Sequence, residues 1–190
     1  MKYIKISGVL ALIAAVCALI ISGMYLLTSP AVAANNAKVE LETCQAIFAS
    51  YDKDKSEQIE IDSEVIIKKV LAKDSSSNSL GYLYTVSGAN SYGEITLMVA
   101  IDMEGRVVQV EFLSNGQSFA GTVEAHVKEN YPSSKDDVIY IGIKPEEVEP
   151  VGSLTADDVA GIDTACGATF GADLVKDLVN AALEDANGGN

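Results

Sequence analysis

One hydroxyl near the end of the chain stands among residues too small to cover it. Residues 163–172 read DTACGATFGA, and within them Gly167 and Ala168 leave the backbone beside Thr169 open. A helical pattern follows immediately. Two chemistries suit such a threonine. As an N-cap, its oxygen accepts a hydrogen bond from an amide of the first helical turn. As an ester carrier, it exploits the unpaired N–H groups and positive dipole end that make a helix start favourable for phosphate. Spacing alone leaves both open.

Other chemistry has little to work with. His126 is the only histidine, in GTVEAHVKENY, with no second ligand or nucleophile beside it, and reads as a surface or structural residue. No HExxH, CxxC, GxSxG or phosphate-loop pattern occurs, so hydrolase chemistry and metal sites lack support. Of three cysteines, Cys17 sits in an apolar run and reads as a small apolar residue. Cys44 and Cys166 are too few for a metal framework, and a bridge between them is a further reading in an oxidising compartment.

The elements that must position Thr169 are legible in outline. Residues 173–186 place Leu174, Val175, Leu178, Val179, Ala182 and Leu183 on one helical face, with NGG as a stop. LGYLYTVS (80–87), GEITLMVAI (93–101) and RVVQVEFL (106–113) read as three strands on short turns, the last with Val108, Val110 and Phe112 on one face. Residues 118–130 form a candidate helix with Ala120, Val123 and Val127 inward, VIYIGI (138–143) a further strand, and 157–160 a helical turn. Residues 38–51 look helical, 56–73 mix strand alternation with a helix-compatible run, and DSSSNS (74–79) is a loop. The expected fold class is α+β, a small antiparallel sheet with flanking helices, preceded by one N-terminal transmembrane helix.

No residue between 6 and 37 is charged, and residues 8–27, GVLALIAAVCALIISGMYLL, are almost wholly apolar. About 20 helical residues cross a bilayer core. Lys2 and Lys5 precede the run, which places the N-terminus in the cytoplasm and the rest of the chain outside. A cleaved secretory signal with an A-x-A site in AVAA (31–34) is the rival reading, although the run is longer than a usual signal core. The expected organisation is a membrane anchor over 1–28, a linker over 29–37 and an extracytoplasmic domain over 38–190. Subtracting the two N-terminal lysines from the net charge of −14 leaves −16 outside, which disfavours nucleic acid and anionic lipid as partners.

DTACGAT resembles the Asp-x-x-(Ser/Thr)-Gly-Ala-Thr signature of the FMN-binding domain found in the G subunit of Rnf-type electron transport complexes and the C subunit of sodium-pumping NADH:quinone reductases. The stretch 80–115 is similar to the family's strand, Tyr-Gly turn, strand, Asp-Gly turn and strand, with Gly81, Tyr92, Gly93, Ile95, Asp102, Gly105 and Val108 in matching places. The resemblance implies FMN held covalently through a phosphoester on Thr169, attached from FAD by a separate flavin transferase with Mg²⁺. It implies a cofactor site of Asp163, Cys166, Gly167 and Ala168 around that threonine, with Tyr92, Gly93 and the SFAG stretch from Ser118 beside the ring. Cys166 stands where the family has Ser or Thr, Phe170-Gly171-Ala172 where it has x-Thr-Ser, and NGQSFAGT where it has a Glu-Thr-Pro-Gly-like turn. The implied role is an electron-transfer subunit rather than an enzyme on its own, working with other membrane subunits of an ion-translocating ferredoxin:NAD oxidoreductase. A stand-alone flavinylated extracellular electron carrier and a flavin-free anchored binding domain of the same fold are the alternatives.

Overall fold

A computed structural model describes residues 2–133 and 151–188, so the expected strand at 138–143 lies outside the described residues. The chain divides into two compact units, Met1–Glu42 and Thr43–Asn190.

The first unit is helical. Helix α1 (Lys2–Ile47) contains Pro30 and runs without interruption through 29–37, the small and polar stretch expected as a linker. Thr28 sits inside it by donating its hydroxyl back to the Met24 carbonyl at 2.8 Å, which pairs its side chain within the helix. The span Leu10–Ile47 reaches a mean hydropathy of 2.5 and is long and apolar enough to cross a membrane.

The second unit is built on a five-stranded antiparallel sheet in sequence order: β1 (Glu57–Ile59), β2 (Ile66–Lys73), β3 (Ser79–Asn90), β4 (Gly93–Ile101) and β5 (Val107–Asn115). The ambiguous segment at 56–73 is therefore two strands. IIKKVLAK carries a helix-compatible stripe of Ile66, Ile67, Val70 and Leu71, but as β2 it pairs with both β1 and β3, and this long-range pairing decides its state. Both faces of the sheet are covered. One face gathers Tyr84, Val86, Ile95, Leu97, Val99, Ile101, Val107 and Val110 under helices α2 (Ala120–Asn130) and α4 (Thr169–Gly188), with Val159 of the short α3 (Ala156–Gly161). The other carries Ala72, Leu83, Met98 and Ala100 against Cys44.

Three details depart from the sequence reading. Val108 leaves the face of Val110 and Phe112, because the ladder shifts register where Ile101 pairs with Val107 and Ala100 with Gln109, and the extra residue turns Val108 to the opposite face. In α2, His126 is buried beside Val123 and Val127, while Ala120 is only half-buried. No disulfide joins Cys44 and Cys166: Cys44 lies within 3.8 Å of Met98 Sδ on one side of the sheet, and Cys166 belongs to the loop leading into α4 on the other.

Helix α4 supplies much of the core. Val175, Leu178, Val179, Ala182 and Leu183 are buried along it, each contributing roughly 1.5–3 kcal/mol of transfer free energy for a full-size side chain. Its far end is latched to the sheet by Asp185, which accepts from Lys69 Nζ at 2.6 Å and from the Tyr84 hydroxyl at 2.8 Å. The packed stripe and this latch together fix where the helix begins, and so where Thr169 stands.

Candidate functional site

The start of α4, the β3–β4 turn and the β5–α2 loop enclose a cavity of about 250 Å³. Its walls are Tyr92, Gln117, Phe119, Val123, Gly167, Ala168, Thr169, Phe170 and Gly171.

Thr169 is the first residue of α4 rather than its cap. The Ala168 carbonyl accepts from the amides of Gly171 at 2.9 Å and Ala172 at 3.1 Å, which makes Ala168 the cap position. Alanine has no side-chain oxygen to offer, so the first turn stays uncapped. The N-cap reading of Thr169 fails for this geometric reason. Its side chain is exposed and its hydroxyl takes no partner among the described residues. The Thr169 and Phe170 amides are likewise unpaired among those residues, so the positive end of α4 opens onto the cavity.

The approach to this helix start is rigid. Gly167 has φ +76°, a left-handed conformation that turns the chain into α4 without strain in glycine. Asp163 Oδ1 accepts from the Ala165 amide at 3.0 Å, Thr164 donates to Asp173 Oδ1 at 2.6 Å, and Lys176 Nζ donates to the carbonyls of Ala160 and Ile162 at 2.7 and 2.8 Å. Asp163 thus works on its own loop and is not part of the cavity wall; Cys166, half-buried, is outside it too.

Across the cavity, Asn90 and Gly93 close the tight β3–β4 turn, whose tip is Ser91-Tyr92. The Tyr92 carbonyl accepts from the Ser118 amide at 3.0 Å and hydroxyl at 3.3 Å, and the Gly116 amide donates to Glu94 at 2.8 Å. A side chain on Gly93 would come within 2.6 Å of the Gly116 carbonyl carbon, so glycine is what lets the β5–α2 loop lie on the turn. Three aromatic rings face solvent here, Tyr92 at 44%, Phe119 at 59% and Phe170 at 64% exposure, and Tyr92 stacks on Phe170 with centroids 5.5 Å apart and planes 22° apart. Exposed rings clustered round an open cavity offer flat apolar faces to a planar ligand.

Of the residues anticipated from sequence, Thr169, Gly167, Ala168 and Tyr92 share the cavity wall. Gly93 and Ser118 support it from behind through the turn contacts, while Asp163 and Cys166 hold or flank the loop. Gln117, Val123 and Gly171 went unanticipated. Gly171 lets α4 approach α2: a Cβ there would stand 2.5 Å from Val123 Cγ2. Next to it, Ala172 is 1% exposed, so a hydroxyl at that position would face the core and not the cavity. His126, one turn along α2 from Val123, is not among the wall residues. Its Nδ1 lies 3.3 Å from Asn130 Nδ2 and its Nε2 has no partner among the described residues; burial lowers its pKa, opposed by the charges of Glu129 and Asp163.

Fold and cavity define an α+β domain with a cofactor-sized cleft at an uncapped helix start. Residues 91–184, from the β3–β4 turn to near the end of α4, match the family model described as FMN-binding domain. The match supports an FMN-binding domain, with FMN as its cofactor. No curated protein matches the chain.

Proposed function

We propose that the chain is a membrane-anchored electron-transfer flavoprotein that carries FMN as a phosphoester on Thr169. The observation that carries this reading is the free Thr169 hydroxyl at the uncapped start of α4, on the wall of a cavity ringed by exposed aromatics. The Thr169 and Phe170 amides and the dipole of α4 would favour the phosphate. Tyr92, Phe119 and Phe170 would flank the ring, with Gly167 and Ala168 leaving room beside it. Attachment from FAD forms the Thr169 Oγ–P bond, breaks the pyrophosphate, and releases AMP and the hydroxyl proton. FMN, when bound, accepts and donates electrons one or two at a time. A covalent tether keeps that group on a domain facing a large extracytoplasmic volume.

The immediate setting we propose is an Rnf-like ion-translocating ferredoxin:NAD oxidoreductase at the cytoplasmic membrane. Here α1 would dock against other membrane subunits through its small residues Gly8, Ala11, Ala14, Ala15 and Ala18. Co-expression with a flavin transferase, followed by denaturing electrophoresis and intact mass, tests the attachment. Wild type and Thr169→Ser should retain in-gel flavin fluorescence and an FMN-sized mass increase, and Thr169→Ala should lose both. A wild-type chain with no added mass refutes the ester; co-purification of wild type without membrane partners refutes the complex.

A further inference from the structure

The cavity contains one polar side chain whose purpose its own contacts leave unfinished. Gln117 is 7% exposed and lines the wall between α2 and α4. Its Nε2 donates to the Gly93 carbonyl at 2.6 Å and to Asn90 Oδ1 at 3.1 Å. Backbone groups force this orientation. Asn90 Oδ1 also accepts from the Tyr92 amide at 2.8 Å, and Asn90 Nδ2 donates to the Phe170 carbonyl at 2.8 Å. An amide N–H only donates and a carbonyl only accepts, so neither carboxamide can be turned round. The nitrogen end of Gln117 is therefore committed to the β3–β4 turn. Its Oε1 faces the first turn of α4, 3.3 Å from where a Gly171 Cβ would stand, and no protein donor reaches it among the described residues.

That oxygen is open to the cavity rather than sealed in the core, and a ligand N–H placed there would replace water with a direct, oriented hydrogen bond. Apolar aromatic faces make up much of the cavity mouth, which suits a planar ring better than a polyol chain. We propose that Gln117 is a specificity-determining residue whose Oε1 accepts a hydrogen bond from the imide N–H of the bound flavin ring. The proposal rests on the flavin reading above. Asn90 is the positioning residue: it joins the Gln117 amide to the Phe170 carbonyl, so the ring-stacking residue and the ring-reading residue are set by one network.

The test uses the full chain in detergent, produced without flavin transferase, with lumiflavin and 3-methyllumiflavin as probes and quenching of their fluorescence as readout. Methylation removes the imide donor. Wild type should bind lumiflavin about tenfold tighter than the methylated probe, the value of one such bond. Gln117→Met should bind both alike, near the wild-type affinity for the methylated probe. Equal binding by wild type overturns the role of Gln117 while leaving the flavin reading intact. Discrimination that persists in Gln117→Met overturns it as well, since the methyl group is then merely excluded by shape. If wild type binds neither probe and takes up no covalent flavin, both readings fall. Should Gln117→Met fail to fold, the wild-type comparison of the two probes still decides.

Discussion

Gly93→Ala should damage the site through the backbone. Gly93 has φ +140°, a conformation that side chains rarely adopt, and holding alanine there costs about 1–3 kcal/mol. The new methyl would also lie 2.6 Å from the Gly116 carbonyl carbon and 3.0 Å from the Gln117 nitrogen, both of them backbone that cannot swing aside. Relief requires the β5–α2 loop to lift from the turn. That breaks or stretches the Gly116–Glu94 bond of 2.8 Å, the Ser118–Tyr92 bond of 3.0 Å and the Gln117–Gly93 bond of 2.6 Å. At about 1 kcal/mol each, and with strain and rupture partly substituting for one another, the expected loss is about 3–4 kcal/mol, a large share of the roughly 5–15 kcal/mol of a whole domain. Urea unfolding followed by circular dichroism measures it. Gly121→Ala is the control: it lies in α2 with nothing within 4 Å, so alanine there should gain roughly 0.5–1 kcal/mol. A Gly93→Ala midpoint within about 1 kcal/mol of wild type would refute the claim that the turn and the loop are locked together.

Alkaline pH should unfold the domain through its buried tyrosines. Burial, then the hydrogen bond and charge of Asp185, raise the Tyr84 pKa above its ordinary value of 10.0, and burial followed by the charge of Asp177 raises that of Tyr131. A raised folded pKa gives stability that is complete below the unfolded pKa, so it is lost as pH rises past about 10. Tyr84→Phe should reduce that slope by about 1.4 kcal/mol per pH unit in the urea series, and an unchanged slope would contradict it. Alkylation of the native domain should modify the half-buried Cys166 and spare Cys44 until denaturant is added, regardless of reductant, as read by intact mass. Finding the pair oxidised would contradict the placement of the two cysteines on opposite sides of the sheet.

The sequence by itself determined the elements whose pattern is local. The period of Val175, Leu178, Val179, Ala182 and Leu183 made α4 certain, and GEITLMVAI gave β4 with the boundaries observed. The twenty apolar residues at 8–27 marked a helix able to span a membrane, since an unbroken run needs no partner to be recognised. Thr169 was found from its small neighbours and the helix after it. Long-range pairing decided the rest. The segment 56–73 became strands because β3 offered a ladder, and Val108 changed face because one register shift in β5 outweighs simple alternation. Thr169 proved to be the first helical residue, not the cap, because the Ala168 carbonyl takes the first intrahelical bonds. Gln117 was invisible as a site residue for the same reason: the acceptors that orient it are 24 and 27 residues away, and the glycine it faces lies on another helix. A hydroxyl with the means to carry a cofactor can be read from its neighbours in sequence; the orientation of a buried amide follows from contacts that exist only once the sheet and both helices have packed.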